Sequence, residues 1–196
     1  MPIIRGRRVV LRDVRREDAD VMSRWPRFVE PELQWANVTL RTPGEKEAWY
    51  RHEQSDWSRL RLAITNEDGE LIGLMGLRDV DRRGGTATLG IRMSANHVGT
   101  GYGTDAITAL LGYAFTEMQL LRVNLDVAAN NPRAQRCYVK CGFSVTGRHR
   151  GFDNVEYIDM AIKREEFERR FVAERPLETK RLAAADSTGA TADRGT

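Results

Sequence analysis

Long apolar runs are missing from this chain. Stretches such as Ala109-Leu110-Leu111 are far too short to span a bilayer, so no helical membrane anchor is expected. The N-terminus, Met1-Pro2-Ile3-Ile4-Arg5, lacks the apolar core of a secretory leader, and a cytoplasmic location is the default expectation. Cysteine is scarce: only Cys137 and Cys141 occur. Four residues apart, they are neighbours on one helix turn but poorly set for a disulfide. With three histidines and no His–Cys cluster, no metal site is expected. Two reduced thiols in a reducing compartment follow. A dominant charge is missing as well. The net charge of +3 and sequence pI of about 9.1 come from scattered arginines. Nucleic-acid binding calls for a clustered basic stripe with interleaved aromatics, which is absent. The small positive excess suits a weak attraction for an anionic ligand.

What is present is an ordinary soluble balance, 41% hydrophobic and 30% charged, over a length suited to one domain. There is no internal repeat. Residues 9–12 read as a first strand, and the acidic stretch at 16–20 opens a helix. The segment 25–54 is irregular, with Pro26, Pro31 and Pro43 as breaks and helical turns that resist placement. Strands follow at 62–64, 71–75 and 88–93, with Asp68-Gly69 as a hairpin signal between the first two. Ile107, Leu110, Leu111, Ala114 and Met118 then recur at helical spacing. Leu121, Val123, Leu125 and Val127 alternate as in a strand. Pro132 starts a helix carrying Ala134, Cys137, Tyr138 and Cys141. Strands at 143–145 and 156–162 complete the pattern, Ile158, Met160 and Ile162 sharing a face. The order predicts an α+β (α/β) fold, a mixed sheet of about seven strands flanked by helices, over residues 1–172. Residues 173–196 are small and polar and read as a flexible tail.

The most informative segment is Val98-Gly99-Thr100-Gly101-Tyr102-Gly103-Thr104, which follows a strand and opens a long helix. Alternate glycines let successive N–H groups converge, and the helix N-terminus adds partial positive charge. The physics predicts an anion site, with pyrophosphate the best candidate; by spacing alone, a plain tight turn is an equal reading. A triphosphate-binding P-loop is excluded, since no Lys-Ser or Lys-Thr pair follows the glycines.

This loop resembles the acyl-CoA motif of the GNAT superfamily, Gln/Arg-x-x-Gly-x-Gly/Ala, with Gly101 and Gly103 at the small positions and Val98 departing from Gln or Arg. A second segment is similar to the family pattern Asn-x-x-Ala-x-x-x-Tyr-x-x-x-Gly-Phe: Asn131, Ala134, Tyr138, Gly142 and Phe143 fall in register. The resemblance covers roughly residues 5–163 and is nearest to the branch of ribosomal-protein N-terminal, polyamine and aminoglycoside acetyltransferases. It implies the GNAT fold and an enzyme moving acetyl from acetyl-CoA to a primary amine. An inactive acyl-CoA-binding regulator stays open, as does a succinyl-CoA donor, for which Arg148 and Arg150 leave room. A homodimer also stays open.

The resemblance further implies a sheet splayed beside the strand at 91–93. There the backbone of Ile91 and Met93 pairs with the pantetheine arm, and a Met93 N–H meets the oxyanion. Residues 98–104 (Val98, Gly99, Thr100, Gly101, Tyr102, Gly103 and Thr104) hold the pyrophosphate. Asn131 meets the pantetheine or caps its helix, and Arg133 or Arg136 meets CoA phosphates. Tyr138 protonates the departing thiolate, a mismatch of only about 2 kcal/mol between phenol and thiol, unless it merely packs. Glu30 and Glu32 lie where the family builds its acceptor wall. With Glu45, Glu47 and Asp159 they are the candidate bases. His52, His97 and His149 read as surface histidines.

Overall fold

The computed structural model describes residues 3–54 and 59–172. Ile4–Arg5 (β1), Val10–Asp13 (β2), Leu60–Thr65 (β3), Leu71–Asp81 (β4) and Thr86–Met93 (β5) pair in sequence order, each antiparallel to its neighbour. Arg122–Ala128 (β6) joins β5 in the only parallel pairing among the described residues. Glu156–Lys163 (β8) lies between β6 and Ser144–Arg150 (β7), giving the order β1-β2-β3-β4-β5-β6-β8-β7. The eighth strand, beyond the seven expected, is β1. Two residues are too few to show any alternation in sequence.

Helices cover this sheet. Tyr102–Thr116 (α3) buries Ile107, Leu110, Leu111 and Ala114 completely, together with Phe115. Met118 falls beyond the helix end and only packs against the same core. The alternation expected in β6 holds for Val123, Leu125 and Val127, whereas Leu121 precedes the strand and is exposed. Pro132–Lys140 (α4) connects β6 to β7, and Arg164–Phe167 (α5) follows β8. Among the described residues no helix is long and apolar enough to cross a membrane.

The segment 25–54 departs from expectation. Before it, Asp18–Met22 (α1) is the short helix expected there; within it, Pro31–Ala36 forms a 3-10 turn and Pro43–Gln54 (α2) is a full helix. Pro43 opens that helix rather than breaking anything, because the first helical position needs no N–H. Its start is a capping box: Glu45 N–H donates to Thr42 Oγ1 at 3.2 Å, and Thr42 N–H donates to Glu45 Oε2 at 2.8 Å. The Thr-x-x-Glu spacing announces this start in the sequence. The apolar periodicity does not, since no α2 residue is fully buried and only Trp49 and Tyr50 pack against the minor core.

Candidate active site

The register of β5 creates the site. Ser94 N–H donates to Ile72 O at 2.8 Å, which makes position 94 opposite 72 a hydrogen-bonded pair. Antiparallel pairs alternate, and Gly73 stands opposite Met93 and Met75 opposite Ile91. The backbone groups of Ile91 and Met93 therefore turn away from β4, towards β6. The β5–β6 ladder ends at Thr88 opposite Asn124. Beyond that rung the two strands part, leaving the Ile91 and Met93 backbone without a strand partner among the described residues. The gap is a cleft of about 1320 Å³.

The loop after β5 closes one end of this cleft. Gly99 and Gly101 have φ of 78° and 91°, a left-handed backbone open mainly to glycine. The first bond of α3 runs from Asp105 N–H to Gly101 O at 3.1 Å. Among the described residues the N–H groups of 99–104 find no acceptor, so an unfilled row of donors gathers at the N-terminus of a 15-residue helix. Val98 packs against Phe28, Leu33 and Ala36. This apolar seat accounts for valine at the position that departs from the motif.

The opposite wall is α4. Asn131 is its N-cap, Oδ1 accepting Ala134 N–H at 3.1 Å. Tyr138 is buried and meets the Phe143 ring edge-on at 6.0 Å. Its hydroxyl has no hydrogen-bond partner among the described residues, yet Tyr138 lines the cleft. Burial, with smaller contributions from Cys137 and Asp126, pushes the phenol well above its ordinary value. Both cysteines are free. Cys137 also lines the cleft, its Sγ 3.3 Å from Thr104 Oγ1. Arg133, Arg136 and Lys140 line the same wall and form no ion pair among the described residues.

Tyr138 and every residue expected to touch the cofactor line this one cleft, with one exception. The Tyr102 side chain lies on the outer side of the loop, its hydroxyl donating to Glu67 Oε2 at 3.0 Å. His97, read from sequence as a surface residue, is only 18% exposed and lines the cleft. Its Nδ1 is buried without a partner among the described residues.

The acceptor end differs from the sequence reading. Glu30 does not line the cleft, and the side chain of Glu32 lies outside the described residues. Glu45 is occupied as a helix cap, Glu47 pairs with Arg16 and Arg51, and Asp159 pairs with His149. The carboxylates that do line the cleft are Glu53, Asp126 and Asp153. Glu53 sits 3.3 Å from Arg61, Asp126 sits 2.9 Å from Arg78, and Asp153 accepts the Tyr157 hydroxyl at 2.7 Å. Arg92 also lines the cleft, and burial lowers its pKa against the opposing pull of Glu53. No local motif marks these three acids, because they come from α2, β6 and the β7–β8 turn.

A family model described as "Acetyltransferase (GNAT) domain" matches residues 8–144. The chain is 33% identical to the spermidine N(1)-acetyltransferase of Escherichia coli K12 over 178 residues, covering 85% of this chain and 89% of that enzyme. Among solved structures, a mutant of the SpeG spermidine N-acetyltransferase from Vibrio cholerae superposes with a TM-score of 0.69 at 25% identity, covering 83% of this chain and 98% of that one. The Vibrio cholerae spermidine N-acetyltransferase in complex with CoA and spermine has the same fold, with a TM-score of 0.64 at 23% identity over 82% and 98% of the two chains.

Proposed function

The chain belongs to the GNAT acetyltransferase family, and from that premise we propose that it moves the acetyl group of acetyl-CoA onto a primary amine of a polyamine-type acceptor. One observation carries the reading. Among the described residues, the backbone of Ile91 and Met93 has no strand partner, and it borders a cleft that also holds Tyr138 and ends in a row of N–H donors without an acceptor. Those features suit, in order, a pantetheine arm that adds to β5 like a strand, a leaving thiolate, and a pyrophosphate. Arg133, Arg136 and Lys140 suit the remaining phosphate charge.

The ammonium gives up one proton to solvent, and the free amine attacks the thioester carbonyl. The C–N bond forms as the carbonyl oxygen takes up negative charge, which the Met93 N–H meets. The C–S bond then breaks, Tyr138 gives its proton to sulfur, and the proton shed by the new amide nitrogen returns to the phenolate. A buried phenol is a weaker acid than a free one, so donation costs more. A thiolate leaving beside the buried phenol is made more basic too, which offsets part of that cost. Placing both reactants side by side supplies most of the rate, and no covalent enzyme intermediate is needed.

Of the cleft acids, Glu53 and Asp126 are already paired with Arg61 and Arg78, so the polyamine class is supported by the activity named for the similar enzymes. Arg148 and Arg150, which left a succinyl donor open, stand exposed on β7 outside the cleft. The test is thiol release from acetyl-CoA against spermidine, spermine, an aminoglycoside and a peptide with a free N-terminus. Turnover is expected with the polyamines. Turnover only with the peptide or the aminoglycoside overturns the acceptor class. Binding of acetyl-CoA without release by any amine overturns the enzyme reading in favour of a regulator.

A further inference from the structure

The outer side of the cofactor loop is gripped by a residue that does not line the cleft. Arg8 lies between β1 and β2. Its guanidinium stacks on the Tyr102 ring at 4.2 Å and donates to Glu67 Oε1 at 2.9 Å and to Thr100 O at 3.1 Å. The Tyr102 hydroxyl closes the ring of contacts on Glu67 Oε2 at 3.0 Å. The Arg8 backbone is anchored as well. The N–H groups of Arg7, Arg8 and Val9 all donate to the carboxylate of Asp105, at 3.0, 2.8 and 3.1 Å, in the first turn of α3.

The bond to Thr100 O has a consequence inside the cleft. In a trans peptide unit the C=O of one residue and the N–H of the next point in opposite directions. Arg8 holds the Thr100 carbonyl on the outer side, so the Gly101 N–H is turned inward. That peptide plane turns through ψ of Thr100 and φ of Gly101, and the glycine places little steric restraint on it. Left unheld, it is free to turn its carbonyl, an acceptor, towards a bound anion.

We infer that Arg8 is a positioning residue for cofactor phosphates. It acts from behind the loop, by fixing the Thr100–Gly101 peptide with its donor facing the cleft. Glu67 and Tyr102 keep the guanidinium in place. The inference rests on the acetyl-CoA reading above.

The experiment compares acetyl-CoA with acetyl-pantetheine, which carries the same thioester and no phosphate, on wild type, Arg8→Met and Glu67→Ala. Methionine keeps an apolar stem over Tyr102 and removes the hydrogen bonds. With acetyl-CoA, Arg8→Met is expected to raise KM about ten-fold with kcat within two-fold. With acetyl-pantetheine the same variant should match wild type, because no phosphate is there to be misplaced. Glu67→Ala is expected to weaken acetyl-CoA by several-fold in the same phosphate-dependent way. Its sign is diagnostic, since removing a nearby negative charge would otherwise favour an anion. Equal losses with both donors would mean general damage to the fold and would overturn the proposal. Loss in Arg8→Met with gain in Glu67→Ala would make Arg8 a direct phosphate ligand and overturn it too. A wild type that binds no acetyl-CoA by calorimetry strikes the functional reading itself. A wild type that binds it, alongside variants that bind it equally well, strikes only the positioning role.

Discussion

Tyr138 occupies a position in α4 where its ring packs against Phe143 while its hydroxyl borders the cleft. The two roles separate in Tyr138→Phe, which keeps the ring and loses the proton. Turnover is expected to fall roughly 10²-fold with the acetyl-CoA dissociation constant within about two-fold. A near-normal rate would reduce the residue to packing. The pH dependence follows from the sign of the shift. Burial disfavours the phenolate, so the phenol stays protonated past the ordinary tyrosine value of about 10. A high-pH limb due to this group therefore lies above pH 10 and disappears in the phenylalanine variant. A limb at lower pH, retained in that variant, belongs to another group. The same shift has a stability consequence. Up to about pH 10 the buried neutral phenol costs nothing, but above it the unfolded chain ionises first and the fold loses stability.

β5 is the element on which chemistry and architecture meet, and its neighbour β4 is held closely on both sides. A Cβ at Gly76 would collide with the backbone carbonyl oxygen of Leu60 on β3. That oxygen belongs to main chain, at the first rung of the β3–β4 ladder where Leu60 stands opposite Leu77. Gly76→Ala is expected to cost about 2–4 kcal/mol and to lower Tm by roughly 5–10 °C. Thermal unfolding reads the loss, and an unchanged Tm would show that β3 yields. At this scale the sequence is most misleading in α2. Hydrophobic periodicity looks for a buried stripe, and α2 presents only two half-buried aromatics. Its Thr42-x-x-Glu45 cap is the legible mark. Glu53, near its end, is an acceptor-side carboxylate that spacing offers no reason to choose.

For the whole molecule, the described body ends at Val172, with Phe167 buried and Phe171 packed against the main core. The small polar composition beyond it carries no buried periodicity. Truncation after Val172 is expected to leave Tm within about 2 °C and kcat/KM within about two-fold. A larger drop in either would give the final 24 residues a part in the fold or the site. By itself the sequence determined the order of elements from β2 to β8 apart from α2, the donor loop from 98 to 104 and the α4 segment from Asn131 to Tyr138. Each is written in local spacing: glycines at alternate positions, apolar residues at period two or near four, a cap three residues before the N–H it accepts. Which side chains meet across the cleft was decided only by the tertiary structure. The β5–β6 ladder stops after three rungs, and no residue type signals a strand that loses its partner. Arg8 reaches Thr100 across 92 residues of chain, and Glu53, Asp126 and Asp153 converge from three elements. Local spacing encodes what one element does with its own backbone. Contacts between distant segments depend on how whole elements pack, and no short stretch of sequence contains that information.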